Sequence, residues 1–95
     1  MATTVGLVHM ELRIAEAASL KDKRRAIRSF KDRLRNTWNV SVAEVDRLDN
    51  RQLAVLAVAM VSKDRRYLEG ALQKLVNATA AEREISLVDY ELELL

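Results

Sequence analysis

The sequence predicts an α+β sandwich in which four strands and two helices follow the order β-α-β-β-α-β. Three observations lead there. Apolar residues recur at every second position near both ends of the chain. They recur at every third or fourth position in two internal stretches, and they run unbroken from Leu53 to Val61. A period of two marks strands, a period near 3.6 marks helices, and a short unbroken run marks a strand covered on at least one face.

Residues 5–14 open the pattern, with Val8, Met10, Leu12 and Ile14 on one side and His9, Glu11 and Arg13 on the other. This is a half-buried first strand. Ser19 then precedes a helical stretch, with Asp22 three residues on as a variant of the capping box, whose usual partner is Glu or Gln. Leu20, Ile27, Phe30 and Leu34 form the apolar stripe of a helix ending near Thr37. Trp38 to Val45 is rich in strand formers and reads as the second strand. Arg47-Leu48-Asp49-Asn50-Arg51 supplies the turn chemistry that connects it to the run Leu53–Val61. Ser62 is the candidate N-cap of a second helix with the stripe Leu68, Leu72, Leu75 and Thr79, flanked by Ala71 and Val76. Val88, Tyr90, Leu92 and Leu94 alternate with Asp89, Glu91 and Glu93 in the last strand. Right-handed crossovers and a hairpin between the middle strands turn this order into a ferredoxin-like sandwich. Both helices then lie on one face of the sheet, and strands two and four form its edges.

At 95 residues the chain reads as a single domain spanning 1–95, with no Pro-, Gly- or Ser-rich linker and no repeat. A domain of this size buries roughly 60–65% of its unfolded surface, enough to stand without staples. There is no cysteine, which excludes disulfides, thiolate metal sites and cysteine nucleophiles. That fits a reducing cytoplasm. The longest apolar run is nine residues, too short for the ~20 that span a membrane, and the N-terminus carries no signal-peptide pattern. A hydrophobic fraction of 49% with 32% charged residues is that of a globular chain.

Three stretches resemble the YlxP-like family of bacterial proteins. They are Ser19-Leu20-Lys21-Asp22-Lys23-Arg24-Arg25 continuing to Arg33-Leu34-Arg35, then Asn39-Val40-Ser41-Val42-Ala43-Glu44-Val45, and the ending Asp89-Tyr90-Glu91-Leu92-Glu93-Leu94. The similarity covers essentially the whole chain and its motifs fall in order. It implies a ferredoxin-like fold and a bacterial cytoplasmic origin. The family is a domain of unknown function often encoded beside translation and ribosome-maturation genes, which raises the expectation of an RNA-linked role. The middle turn departs from the pattern, reading Leu48-Asp49-Asn50 where relatives often carry an aromatic residue.

Net charge is only +2, yet its distribution is lopsided. Residues 21–35 carry eight basic residues against Asp22 and Asp32, a balance of +6, whereas residues 84–95 hold four acids and no base. Such asymmetry bears on partners more than the total does. Arg24, Arg28, Lys31 and Arg35, spaced 4, 3 and 4, line one helical face with Lys21 and Arg25 beside it. Guanidinium forks suit phosphates, and each phosphate neutralised releases counterions. The plainer reading is a solvated face that keeps the protein soluble.

Other nucleic-acid signatures are missing. An RNA-recognition sheet presents aromatic residues for base stacking. Here the open face is expected to offer His9, Glu11, Arg13, Asp89, Glu91 and Glu93, with Tyr90 turned to the core. The only glycines are Gly6 and Gly70, so no GXXG clamp exists. Trp38 and Tyr67 read as boundary packing first and as stacking residues second. His9 reads as a surface residue, and Glu44, Asp46 and Asp49 lack the spacing of a calcium loop.

No nucleophile–base set, P-loop or dinucleotide fingerprint is present, so no catalytic residues, metal ligands or cofactor are expected. The expected function is a non-catalytic RNA- or ribosome-associated binding module, acting through Lys21, Arg24, Arg25, Arg28, Lys31 and Arg35. The alternative is a protein-interaction or homo-oligomerising domain that uses the sheet edges and the acidic sheet face. A small-molecule regulatory domain rests on fold analogy alone. No membrane partner is expected.

Overall fold

A computed structural model describes all residues, 1–95. The elements are β1 (Thr4–Arg13), α1 (Leu20–Thr37), β2 (Ser41–Asp46), β3 (Leu53–Ser62), α2 (Arg65–Ala80) and β4 (Ser86–Leu94). The strands form one sheet in the order β2-β3-β1-β4, and every neighbouring pair is antiparallel. This is the ferredoxin-like α+β sandwich, with β2 and β4 at the edges. No helix is long and apolar enough to cross a membrane.

One face of the sheet carries the core. Val8, Met10 and Leu12 of β1 and Ala54, Leu56 and Val58 of β3 are fully buried beneath Ile27, Phe30 and Leu34 of α1 and Leu68, Leu72 and Leu75 of α2. The period of two in the strands meets the 3.6 period of the helices, and burial of this apolar area supplies the main folding drive. Gly6 allows the closest approach. A methyl group there would run into Leu72 Cδ1 and lie 3.2 Å from Leu68 Cγ, so glycine lets α2 settle on β1.

Ser19 caps α1 as read, but the return bond of the capping box falls one residue earlier, on Ala18 rather than on Ser19. Ser19 Oγ accepts from the Asp22 backbone N–H at 3.1 Å, and the Asp22 carboxylate accepts from Ala18 N–H at 3.2 Å. The start of α2 differs from the reading. Its N-cap is Asp64, whose carboxylate accepts from Tyr67 N–H at 3.0 Å, while the Ser62 hydroxyl accepts from Asp64 N–H. Ser62 is the last residue of β3, still paired with Thr4, so the chain needs two more residues to turn before a helix begins.

Two strands also depart in detail. Trp38 lies outside β2 and caps the C-terminus of α1, its N–H donating to Leu34 O at 2.9 Å. In β4 the strict alternation fails because the pairing with β1 is irregular between Glu11 and Leu12, where Glu11 faces Asp89 and Leu12 faces Leu87. Val88 is the extra residue of that bulge and is 51% exposed, so Leu87 takes the inward position instead. Tyr90 is on the helix side, its hydroxyl 3.5 Å from Gln73 of α2, but it is 42% exposed and outside the core. As an edge strand, β4 is covered by α2 along one border only.

Candidate anion-binding interface on the first helix

The sequence of α1 sets three flanks around one axis, 100° apart per residue. Lys23, Ile27, Phe30 and Leu34 face the sheet and are buried. Lys21, Arg24, Arg25, Arg28 and Arg35 are exposed, and Lys31 is half-buried because its position lies nearest the sheet-facing stripe. Arg33 points to the opposite flank, toward the end of α2, where it meets Glu82 at 3.2 Å and its guanidinium carbon lies 5.6 Å from the centre of the Phe30 ring.

The predicted basic residues do not all share one condition. Lys21, Arg24, Arg25 and Arg28 line a shallow hollow of about 410 Å³ with no other residue in its wall. None of the four has an ion-pair partner. Lys31 is likewise unpaired. Arg35 is engaged already, holding Asp32 at 3.3 Å and donating to Val42 O of β2 at 3.2 Å. The stripe is therefore a cluster of four at the N-terminal half of the helix, with a fifth cation one turn on and a sixth tied to the sheet edge. Arg25 also borders a second hollow of about 400 Å³ beside Glu16, Asp22 and Glu84, so acidic residues bound the cationic surface on that side.

Lys23 is the residue that reading the sequence by charge misplaces. It sits within the basic run, yet it is 1% exposed. Its ammonium donates to Arg47 O at 2.6 Å and lies 2.9 Å from Glu44 Oε2. That oxygen receives no directed hydrogen bond from any donor, so the contact with Lys23 is ionic in character. The signal was present in the spacing. Leu20 and Ile27 leave a gap of seven in the apolar stripe, and Lys23 falls in it at 3 and 4. Glu44 lies two residues after Val42, on the inner face of β2. The pair ties α1 to the β2–β3 turn, where Arg47 takes a left-handed backbone with φ 61° and Asn50 Oδ1 accepts from the N–H groups of Gln52 and Leu53.

A separate groove of about 400 Å³ runs between the end of α1 and the start of α2, lined by Thr37, Trp38, Arg66, Tyr67, Gly70, Ala71 and Lys74. Trp38 packs partly against the core, and Tyr67 is 63% exposed. Arg66 thus lines a different surface from the α1 cluster, and the two share no residue. On the open side of the sheet, His9 faces Glu91 in the register without an ion pair, and Arg13 faces Ser86. Glu11 lies opposite Asp89, like charges that a sheet tolerates only where water reaches them. No grouping of His, Asp and Glu in the chain has the arrangement of a metal site.

Two comparisons with known proteins bear on this arrangement. Residues 5–92 match the profile of a protein family described as "Protein of unknown function (DUF503)". The chain belongs to the DUF503 family. It is 33% identical over 72 residues to the uncharacterised protein YlxP of Bacillus subtilis (strain 168), an overlap of 76% of this chain and 78% of that one. The YlxP-like resemblance carried by the SLKDKR, NVSVAEV and DYELEL stretches is thereby confirmed. In this chain the first of those motifs does two things: Ser19 and Asp22 cap the helix, and Lys23 is buried against Glu44.

Proposed function

We propose that this DUF503 protein is a non-catalytic module that associates with structured RNA, ribosomal RNA foremost, in the cytoplasm, through α1. The observation that carries the reading is the hollow walled by Lys21, Arg24, Arg25 and Arg28 alone, on a helix whose other exposed arginines hold partners of their own. Four unpaired cations along two turns of a helix suit a run of phosphates in charge. Lys31 extends the row toward the middle of the helix.

The contact is to the backbone of the nucleic acid. The helix presents no aromatic residue beside these cations, and the acidic residues of β4 lie on the other face of the sheet. RNA approaching from the helical side meets a cationic surface, and from the sheet side an acidic strand. Recognition by shape and charge without base readout follows from this.

The test is cosedimentation with ribosomal subunits across a salt series, for the parent chain and for the variant Arg24→Glu, Arg28→Glu, Lys31→Glu. The parent should pellet with one subunit, and the logarithm of its affinity should fall with log salt at a slope of roughly −3 if about four phosphates are engaged. The variant should remain in the supernatant. Equal behaviour of parent and variant would overturn the reading.

A further inference from the structure

The sheet has a second face, and half of it is apolar. The outward residues of β3 are Leu53, Val55, Ala57, Ala59 and Val61, joined by Val5 and Leu7 of β1 and by Ala43 of β2, while the β2 register shifts at Val45 and brings Asp46 opposite Val55. No element of this chain covers them: both helices pack on the other face. The unbroken run in β3 is the pattern of a strand covered on both sides, yet one of its sides is bare. A contiguous apolar patch of this extent on a small protein marks a docking surface.

From this face we infer that the chain pairs with a second copy of itself, sheet against sheet. The register supplies the self-complementarity that a two-fold interface needs. Leu7 is beside Ala59 and His9 beside Ala57, so at the middle of the face two large residues of β1 have small residues of β3 at the same height, while Glu11 and Arg13 lie toward one end beside Val55 and Leu53. Rotation about an axis parallel to the strands, between β1 and β3, lays β1 of one copy over β3 of the other. Leu7 then meets the small Ala59 of the second copy, His9 meets Ala57, and Val5 meets Val61. Facing sheets ~10 Å apart interdigitate their side chains in this way.

Charge selects the same axis. That rotation places β4 of each copy over β2 of the other, at opposite rims, so that Glu91 and Glu93 come over Ala43 and Ser41 and only Asp89 comes over an acid, Asp46. Rotation about an axis across the strands would stack acid on acid. The extent is sufficient too. Strands of 10, 6, 10 and 9 residues at ~4.8 Å spacing and ~3.3 Å per residue cover roughly 1,100 Å² counting both copies, just above the ~1,000 Å² at which specific interfaces begin. The two α1 helices would then stand on opposite outer surfaces of the dimer, clear of the interface.

The experiment is sedimentation equilibrium of the full chain over a range of micromolar concentrations, in low and in high salt, with Ala57→Lys and Val61→Glu as variants. Both positions point away from the core of the isolated chain, and Val61 is 60% exposed there, so each variant should keep the circular dichroism of the parent. The parent should be a dimer whose affinity holds or rises with salt, as apolar burial does. Ala57→Lys should weaken pairing by roughly 30-fold or more, because an unpaired charge would be buried at the centre of the interface. Val61→Glu, at the end of the strand, should weaken it less. A parent that stays monomeric throughout overturns the proposal. So does a dimer that dissolves in salt and survives both substitutions, since that one is held by charge between α1 and β4.

Discussion

Lys23 and Arg24 are neighbours on one helix, and the fold gives them opposite conditions. Lys23 is buried, its charge held by Glu44 and its ammonium donating to the carbonyl of Arg47. Arg24 is exposed, pairs with nothing, and shares a hollow with three other cations. A turn of 100° separates them. A basic run is thus no single feature: one member of this one is packed into the fold, and its neighbours are left exposed and unpaired.

Predicted effects on stability rank accordingly. The largest belongs to Lys23→Ala, which leaves Glu44 without its counterion and the Arg47 carbonyl without its donor. It should cost about 3–5 kcal/mol, the usual result of breaking one side of a buried pair, and urea unfolding followed by circular dichroism measures it. A loss below ~1 kcal/mol would show that Lys23 swings out to water and that the two lysines of the motif are alike.

Replacing both partners sharpens the contrast. Lys23→Met with Glu44→Leu removes the charges together and keeps the volume, so stability should return to within about 1–2 kcal/mol of the parent or exceed it. The midpoint of the same urea transition reports it. If the double variant is as weak as Lys23→Ala, the hydrogen bond to the β2–β3 turn matters more than the ion pair.

The smallest effect is on the exposed side. Arg24→Glu with Arg28→Glu touches no packed contact and relieves repulsion among like charges, so the thermal midpoint should move by no more than the equivalent of ~0.5 kcal/mol. A loss as large as that of Lys23→Ala would mean that the hollow contributes to folding as Lys23 does. Paired with the sedimentation assay, this variant separates loss of binding from loss of structure.

The two glycines repeat the lesson in miniature. Gly6 has a packing reason, because a methyl group there would force the buried Leu72 side chain to shift. Gly70 sits inside α2 with nothing within 4 Å of where a Cβ would lie, although glycine costs a helix interior about 1 kcal/mol relative to alanine. Nothing in the structure explains it.

The element order, the single domain, the apolar stripes and the helix-capping Ser19 were all legible in the sequence. Each is set locally, by the match between a periodic pattern and the geometry of a helix or strand, and four strands with two helices in this order leave little topological choice. The exposure of Lys21, Arg24, Arg25 and Arg28 was legible for the same reason. The remaining features depend on distant residues meeting. Lys23 is buried because Glu44 and the Arg47 carbonyl, 21 and 24 positions away, close around its ammonium. Val88 is turned outward because β4 takes an extra residue where it pairs with β1, and Tyr90 is exposed because nothing lies beyond the edge it occupies. The run in β3 predicted a covered strand, but which of its faces the helices would cover, and that the other would be left bare beside Leu7 and Ala43, followed from where β1 and β2 paired with it.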